Sequence, residues 1–434
     1  MNEVVVGIIG LAVVLILFLT GIELAFAMIV IGFLGFGYLI SWNAAFNLLA
    51  KDFFDVLNTY GFTVIPLFIL MGQVAFNSGI AKRLFDAAYK FIGHIPGGLA
   101  MATVAGATAF KSICGSSPAT AATFASVAVP EMDRYGYDKR LSTGIVSSVG
   151  TLGVLLPPSV TLIIFGIITD QSIGRLFLAG IFPGLLIACF FVCIIYGWCK
   201  MNPKIGPKGP KSSWGERMKS IPEVGWVVLI FILVIGGILK GFFTPTEAGS
   251  VGTFLVLFLT FSKRDLNLRG YIKSVMESVR TACMVLMLIA GSTVLGHFIA
   301  VTKIPMIAAD WITSLPLHPA IILIFISLIY LVGGSFIDDL AFMILATPIF
   351  FPAIQKLGYN PLWFGMMIGI TVMIGVVVPP VAINVFVVKQ ITKTPFSVIY
   401  AGVYPFLISL VVGGIVLFVF PQLATWLPGV LMPS

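Results

Sequence analysis

Two clusters of oxygen-bearing side chains stand in otherwise apolar sequence. The first is GSSPAT at 115–120, where Ser116, Ser117 and Thr120 surround Pro118. The second is GGSFIDD at 333–339, where Ser335, Asp338 and Asp339 follow Gly333 and Gly334. Hydroxyl, carboxylate and free carbonyl oxygens are hard donors, suited to a cation such as Na⁺. Helix N-termini offer N–H groups and a partial positive charge, suited to a carboxylate. One geometry can therefore hold a cation and an organic anion side by side. A plainer reading also stands: the serines cap a turn, and the aspartates face water or cap the helix that follows. Lys111, in the apolar flank of the first cluster, attracts an anion, pairs with an acid or simply reaches water. Thr161 and Asn384 either line a cavity or satisfy freed backbone groups.

Other chemistry finds little support. His94, His297 and His318 are scattered, with no HExxH for a zinc protease and no Walker motif for ATP. The five cysteines form no metal-like cluster, and Cys189 and Cys193 read as core thiols on one helix face. Acids at depth occur only in the second cluster, whereas aspartyl chemistry needs two converging carboxylates. The expectation is a protein that is not an enzyme and has no cofactor beyond a coupling ion.

The elements that must position these groups are membrane helices. Hydrophobic residues make up 59 % of the 434, charged residues 10 %, against about 25 % charged in a soluble domain. Mean hydropathy is +1.10. The chain has room for about ten to twelve spans of ~20 residues. Its net charge of +8 resides in short loops, a pattern that orients helices in a bilayer and does not suggest nucleic acid. The first apolar run lacks a basic leader and continues into a second span, so no cleavable signal peptide is expected.

A repeat organises the spans. Residues 130–183 match the stretch 222 positions later at ten of 54 positions, against roughly three or four by chance. Seven of the ten are Gly or Pro, the residues that fix backbone shape. Each copy centres on an apolar run broken by Gly and a Pro pair, GTLGVLLPPSV at 150–160 and VMIGVVVPPVA at 372–382. Helices interrupted at corresponding places in two halves point to a transporter's binding site. Thr20-x-x-Glu23 and Thr244-x-x-Glu247 share capping-box spacing, which makes both glutamates helix-start caps more readily than buried carboxylates.

The expected fold is an all-α polytopic membrane protein with an inverted-topology repeat. The first repeat covers 1–200, with scaffold spans Val4–Leu19, Leu24–Ile40 and Phe62–Asn77, amphipathic Ile80–His94, a re-entrant hairpin at about 97–133, a broken helix at 141–169 and a last span Leu176–Cys199. A basic cytoplasmic linker fills 201–221. The second repeat covers 222–434, with spans Val224–Leu239, Ala248–Phe261 and Val279–Ile299, a connector Thr302–Leu315, a hairpin at about 318–354, a broken helix at 362–391 and a last span Val398–Phe420. Counting each hairpin as re-entrant leaves five crossings per half, an odd number, as inversion requires. With the N-terminus outside, 19 of the 25 Lys and Arg fall inside and five outside, with Lys111 in the hairpin.

At this point FKSICGSSPATAATFASVAVPEMDRYGYDKRLSTG, GTLGVLLPPS, FFTPTEAGSVG and GGSFIDDLAFMILATPIFFPAIQKLGYNP resemble the large membrane subunit of tripartite ATP-independent periplasmic (TRAP) transporters. The likeness covers essentially the whole chain. It implies a bacterial inner-membrane symporter of elevator type, similar to the ion transporter superfamily, importing an organic acid such as a C4-dicarboxylate or sialic acid with Na⁺. It implies two partners, a small four-helix membrane subunit and a periplasmic substrate-binding protein. It places Na⁺ at Ser116, Ser117, Gly150, Gly153, Ser335, Asp338 and Gly375; Pro118, Thr120 and Asn384 are expected beside these as further groups binding substrate or ion. Lys111 departs from the small or apolar residue expected there. No extra spans precede Val4, so the small subunit is expected to be separate. The alternatives are a stand-alone Na⁺/carboxylate symporter of the same architecture and a non-transporting receptor subunit.

Overall fold

The computed structural model describes residues 2–336 and 339–432. Among these, the regular elements are helices in two series, related by the 222-residue offset found in the sequence. The first half contains α1 (Glu3–Leu19), α2 (Leu24–Leu39), α3 (Trp42–Asn58), α4 (Val64–Asn77), α5 (Ile80–Ile92), α6 (Gly98–Lys111), α7 (Ser117–Arg134), α8 (Lys139–Val149), α9 (Val160–Ile168) and α10 (Ile173–Met201). The second contains α11 (Trp214–Leu239), α12 (Pro245–Ser262), α13 (Leu268–Val301), α14 (Ile304–Ser314), α15 (Pro319–Phe336), α16 (Asp339–Lys356), α17 (Pro361–Gly375), α18 (Ile383–Thr392), α19 (Phe396–Val419) and α20 (Gln422–Leu431). From α5/α14 to α10/α19 the halves correspond one to one. The pair α3 and α4 corresponds to the single α13, because a 3₁₀ turn at Tyr60–Thr63 interrupts the first copy.

The repeated Gly and Pro residues have local reasons. Gly136 and Gly358 take left-handed φ of +73° and +77° just beyond α7 and α16. The next tyrosine amide then returns to a carbonyl five residues back, Tyr137 to Met132 at 2.9 Å and Tyr359 to Ile354 at 3.2 Å, the Schellman closure. Gly180 and Gly402 are close-approach sites. A Cβ on Gly180 would strike the Leu155 carbonyl, and one on Gly402 the Arg140 carbonyl. The Pro pairs stand in both helix breaks, where α8 yields to a 3₁₀ turn at Gly150–Val154 before α9, and α17 gives way before α18. The two hairpins are antiparallel helix pairs. Phe110 of α6 meets Phe124 of α7, and Tyr330 of α15 bonds Thr347 of α16 at 3.1 Å.

The halves interlock. Helices α2 and α4 pack on α12 and α13, while α7, α8 and α10 pack on α17, α18 and α19. Large apolar side chains stay on the outside, among them Phe254, Phe258 and Phe261 of α12 and Ile408 and Ile415 of α19. Such an apolar exterior suits lipid. Among the described residues, six helices are long and apolar enough to span a membrane, counting α4 with the turn before it. One of them is α15, which length alone would make a crossing; its pairing with α16 makes it a hairpin arm.

Several expectations are corrected. No element is expected between the spans ending at Ile40 and starting at Phe62, yet α3 fills that stretch; it is amphipathic, with charged Lys51, Asp52 and Asp55 interrupting its apolar pattern. The linker is shorter than 201–221, because the Ser213–Glu216 capping box starts α11 at Trp214. The box at Thr244–Glu247 forms, whereas Glu23 makes no side-chain cap bond. Helix α2 starts one residue after Glu23, which puts that glutamate at the N-cap instead of the third helical position. Thr20 closes α1, donating to the Leu17 carbonyl. Cys189 and Cys193 lie on the exposed face of α10, not in the core. The second tip is shorter than 333–339, since α15 stays helical to Phe336.

Candidate functional site

A cavity of about 210 Å³ lies where α4 and α13 face the tip of the α6–α7 hairpin. Three helices begin at its wall: α7 with Ser117 and Pro118, α9 with Val160 and Thr161, and α16 with Leu340. Local sequence sets each start. Ser116 caps α7, its hydroxyl accepting from the Ala119 amide at 3.3 Å. Ser159 caps α9, accepting from Leu162 at 3.4 Å and donating to the Val154 carbonyl at 2.6 Å. Helix starts aimed at one cavity present N–H groups and positive dipole ends to it, an arrangement that attracts an anion. Gln73 of α4 and Thr281 of α13 add polar groups from the opposite wall. Sequence reasoning missed both; the signal for Gln73 was a lone amide within an apolar run.

Behind the tip lies a seam with the first helix break. The Lys111 side chain is fully buried, and its Nζ donates to the Ser116 carbonyl at 2.7 Å. That carbonyl also receives the Thr120 amide at 3.3 Å and the Thr120 hydroxyl at 3.0 Å. Gly153 packs directly on Lys111, so a Cβ there would collide with the lysine. Gly150 packs on the Ser117 carbonyl and on Asn384, where a Cβ would come 3.0 Å and 2.7 Å from them. Asn384, from the second half, donates through Nδ2 to the Ser147 carbonyl at 3.2 Å near the end of α8. Its Oδ1 is buried without a hydrogen-bond partner. A buried acceptor without a donor is costly, so this oxygen is available to a cation.

The second hairpin meets the second break in a similar seam. The Ser335 carbonyl accepts from the Val381 amide at 3.2 Å, while the Ser335 hydroxyl bonds within its own helix to Leu331. Gly375 lies against Gly334, a Cβ there coming 3.2 Å from its carbonyl. Asp338 lies outside the described residues. The sequence candidates thus separate into three places. Ser116, Ser117, Pro118 and Thr161 line the cavity. Thr120, Gly150, Gly153 and Asn384 lie in the seam behind it, and Ser335 and Gly375 in the seam of the other hairpin.

Interlocked helical halves with paired hairpins and paired helix breaks define a multi-pass membrane protein of repeat-built architecture. The solved structure of the Alcanivorax borkumensis YdaH transporter has the same fold, with a TM-score of 0.64 over 90 % of this chain and 89 % of that one, at 14 % identity. Residues 11–423 match the family model described as tripartite ATP-independent periplasmic transporter, DctM component. The chain is 35 % identical to the C4-dicarboxylate TRAP transporter large permease protein DctM of Pseudomonas aeruginosa over 88 % of its own length and 89 % of the relative's. It is 32 % identical to the sialic acid TRAP transporter large permease protein SiaM of Vibrio cholerae over 95 % and 96 %. The chain belongs to the TRAP transporter large-permease family, whose members are multi-pass inner-membrane proteins.

Proposed function

We propose that this chain imports an organic acid, a C4-dicarboxylate, sialic acid or a similar carboxylate, in symport with Na⁺. The observation that carries the reading is the convergence of three helix starts on one cavity, with carbonyl and amide oxygens packed behind it. A carboxylate is favoured by the dipole ends, and a cation by the oxygens. Na⁺ is assigned at the first tip and the seam behind it to Ser116, Ser117, Gly150, Gly153 and Asn384, and in the second seam to Ser335 and Gly375, with Asp338 a further ligand proposed from the sequence. The substrate lies between the first tip and α4 and α13. The movement is of elevator type, in which the bundle of hairpins and broken helices slides against the remaining spans. A cavity walled by both groups supports this. The halves, 1–200 and 222–434, are the inverted repeats. A small four-helix membrane subunit and a periplasmic binding protein complete the system.

The test is uptake into proteoliposomes of labelled succinate and labelled sialic acid under an imposed Na⁺ gradient. Uptake is expected with both partners present and inward Na⁺. Equal uptake under a K⁺ gradient would remove the Na⁺ part, and uptake by this chain alone would remove the tripartite part.

A further inference from the structure

The Lys111 ammonium occupies an unusual place. It is fully buried, and among the described residues its one hydrogen bond goes to a neutral oxygen, the Ser116 carbonyl, at 2.7 Å. No described carboxylate forms an ion pair with it; the described ion pairs nearest in sequence are Arg134–Glu131 and Lys139–Asp133. An unpaired buried ammonium is strongly disfavoured unless the site is built for positive charge. Lys111 is also absent from the cavity wall, so it does not reach the place where an organic anion would lie. It stands on the other side of the Ser116 carbonyl, in the space left by Gly153.

We propose that the Lys111 ammonium is a tethered cation that stands in the first seam in place of a mobile coupling ion. The proposal rests on the Na⁺-symport reading above. It follows that this chain carries one Na⁺ fewer per cycle than it would with a small residue at 111. The hairpin tip is then braced against the first helix break without waiting for an ion to bind. The orphaned Asn384 Oδ1 and the Ser117 carbonyl, further along the same seam, remain for a mobile ion.

The experiment counts ²²Na⁺ bound per purified full-length chain and follows thermal unfolding in NaCl against KCl at equal ionic strength. Lys111→Ala and Lys111→Ser remove the ammonium and leave space. Each is expected to bind one more Na⁺ than the parent and to be less stable in KCl, with stability recovered in NaCl. Lys111→Met fills the space without charge and is expected to gain no Na⁺. An unchanged Na⁺ count in Ala and Ser variants that fold, or their failure to fold even in NaCl, overturns the proposal. The parent's own count tests the symport reading separately: a parent that binds no Na⁺, beside an Ala variant that binds one, removes Na⁺ symport and leaves the tethered cation in place.

Discussion

The two hairpins share a backbone and differ in what braces it. The 222-residue offset sets Lys111 opposite Gly333 and Ser116 opposite Asp338. In the first hairpin the tip is held by its own side chains, with Lys111 and Thr120 both donating to the Ser116 carbonyl. In the second, the brace comes from the broken helix, through the Val381 amide to the Ser335 carbonyl. Gly333 offers no side chain, and the Phe342 ring fills the space beside it. The repeat thus preserves main-chain shape at the turns and breaks while charge is free to differ. Near the tips, the sequence puts a positive charge, Lys111, in one hairpin and acids, Asp338 and Asp339, in the other.

The sharpest way to break the comparison is Lys111→Met. Uptake should fall at least ~100-fold, because the tip loses both its charge and its donor. A loss of this order corresponds to roughly 3 kcal/mol of transition-state stabilisation. Uptake within a few-fold of the parent would mean that the lysine is only filler. Next in size are Gly153→Ala and Gly375→Ala, which probe corresponding positions in the two seams. A methyl at Gly153 displaces the buried lysine, whereas a methyl at Gly375 sits 3.2 Å from Gly334 and needs a shift of only a few tenths of an ångström. Overpacking of this kind costs about 1–3 kcal/mol. The Gly153 variant should lie at the upper end and the Gly375 variant at or below the lower, by thermal unfolding in detergent. The reverse order would show that the second seam is the tighter.

Much of the architecture was legible because Gly and Pro act through the backbone. The helix ends at Gly136, Gly358 and the two Pro pairs fall beside the repeated residues for that reason. Helix α3 was not legible, since Lys51, Asp52 and Asp55 dilute its apolar pattern and its equivalent is hidden in the long α13. The capping-box motif gave two equal signals, yet only Thr244 stands at a helix start where its glutamate can reach back. Gln73 and Thr281 joined the cavity because α4 and α13 fold onto the first tip, a tertiary fact that no local pattern carries. The partition of the candidates between cavity wall and seams was likewise invisible. In sequence, Ser116, Ser117 and Thr120 look alike, but Thr120 is buried behind the tip and the serines line the cavity.

Asn384→Ala asks whether the halves are coupled through the first break. The variant loses the bond to the Ser147 carbonyl and leaves that acceptor buried. The expected cost is about 1–3 kcal/mol by thermal unfolding, with a weaker response to Na⁺ because Oδ1 is lost as well. Asn384→Asp keeps the oxygens and should retain more of the Na⁺ response than Ala. Equal responses in the two variants would exclude Oδ1 as an ion ligand.

The smallest effect separates the halves at the entrances to their broken helices. The offset pairs Asp138, the N-cap of α8, with Asn360, the N-cap of α17. Asp138 accepts from the Arg140 amide at 2.8 Å, and Asn360 accepts from the amides of Leu362 at 2.9 Å and Trp363 at 3.3 Å. Removing either cap by Ala should cost about 1 kcal/mol at neutral pH. Only the first should depend on acid. The Arg140 side-chain bond holds the Asp138 carboxyl below the usual aspartate range, so its charged form is favoured by folding. That contribution is fully present above the ordinary aspartate pKa of about 4, and is lost as pH falls through the lower folded-state value. The difference in melting temperature between the parent and Asp138→Ala should therefore shrink on acidification, while that for Asn360→Ala stays constant. Parallel pH dependence in the two variants would mean that the Arg140 contact is screened by solvent and that the cap geometry alone sets the stability of both helix starts.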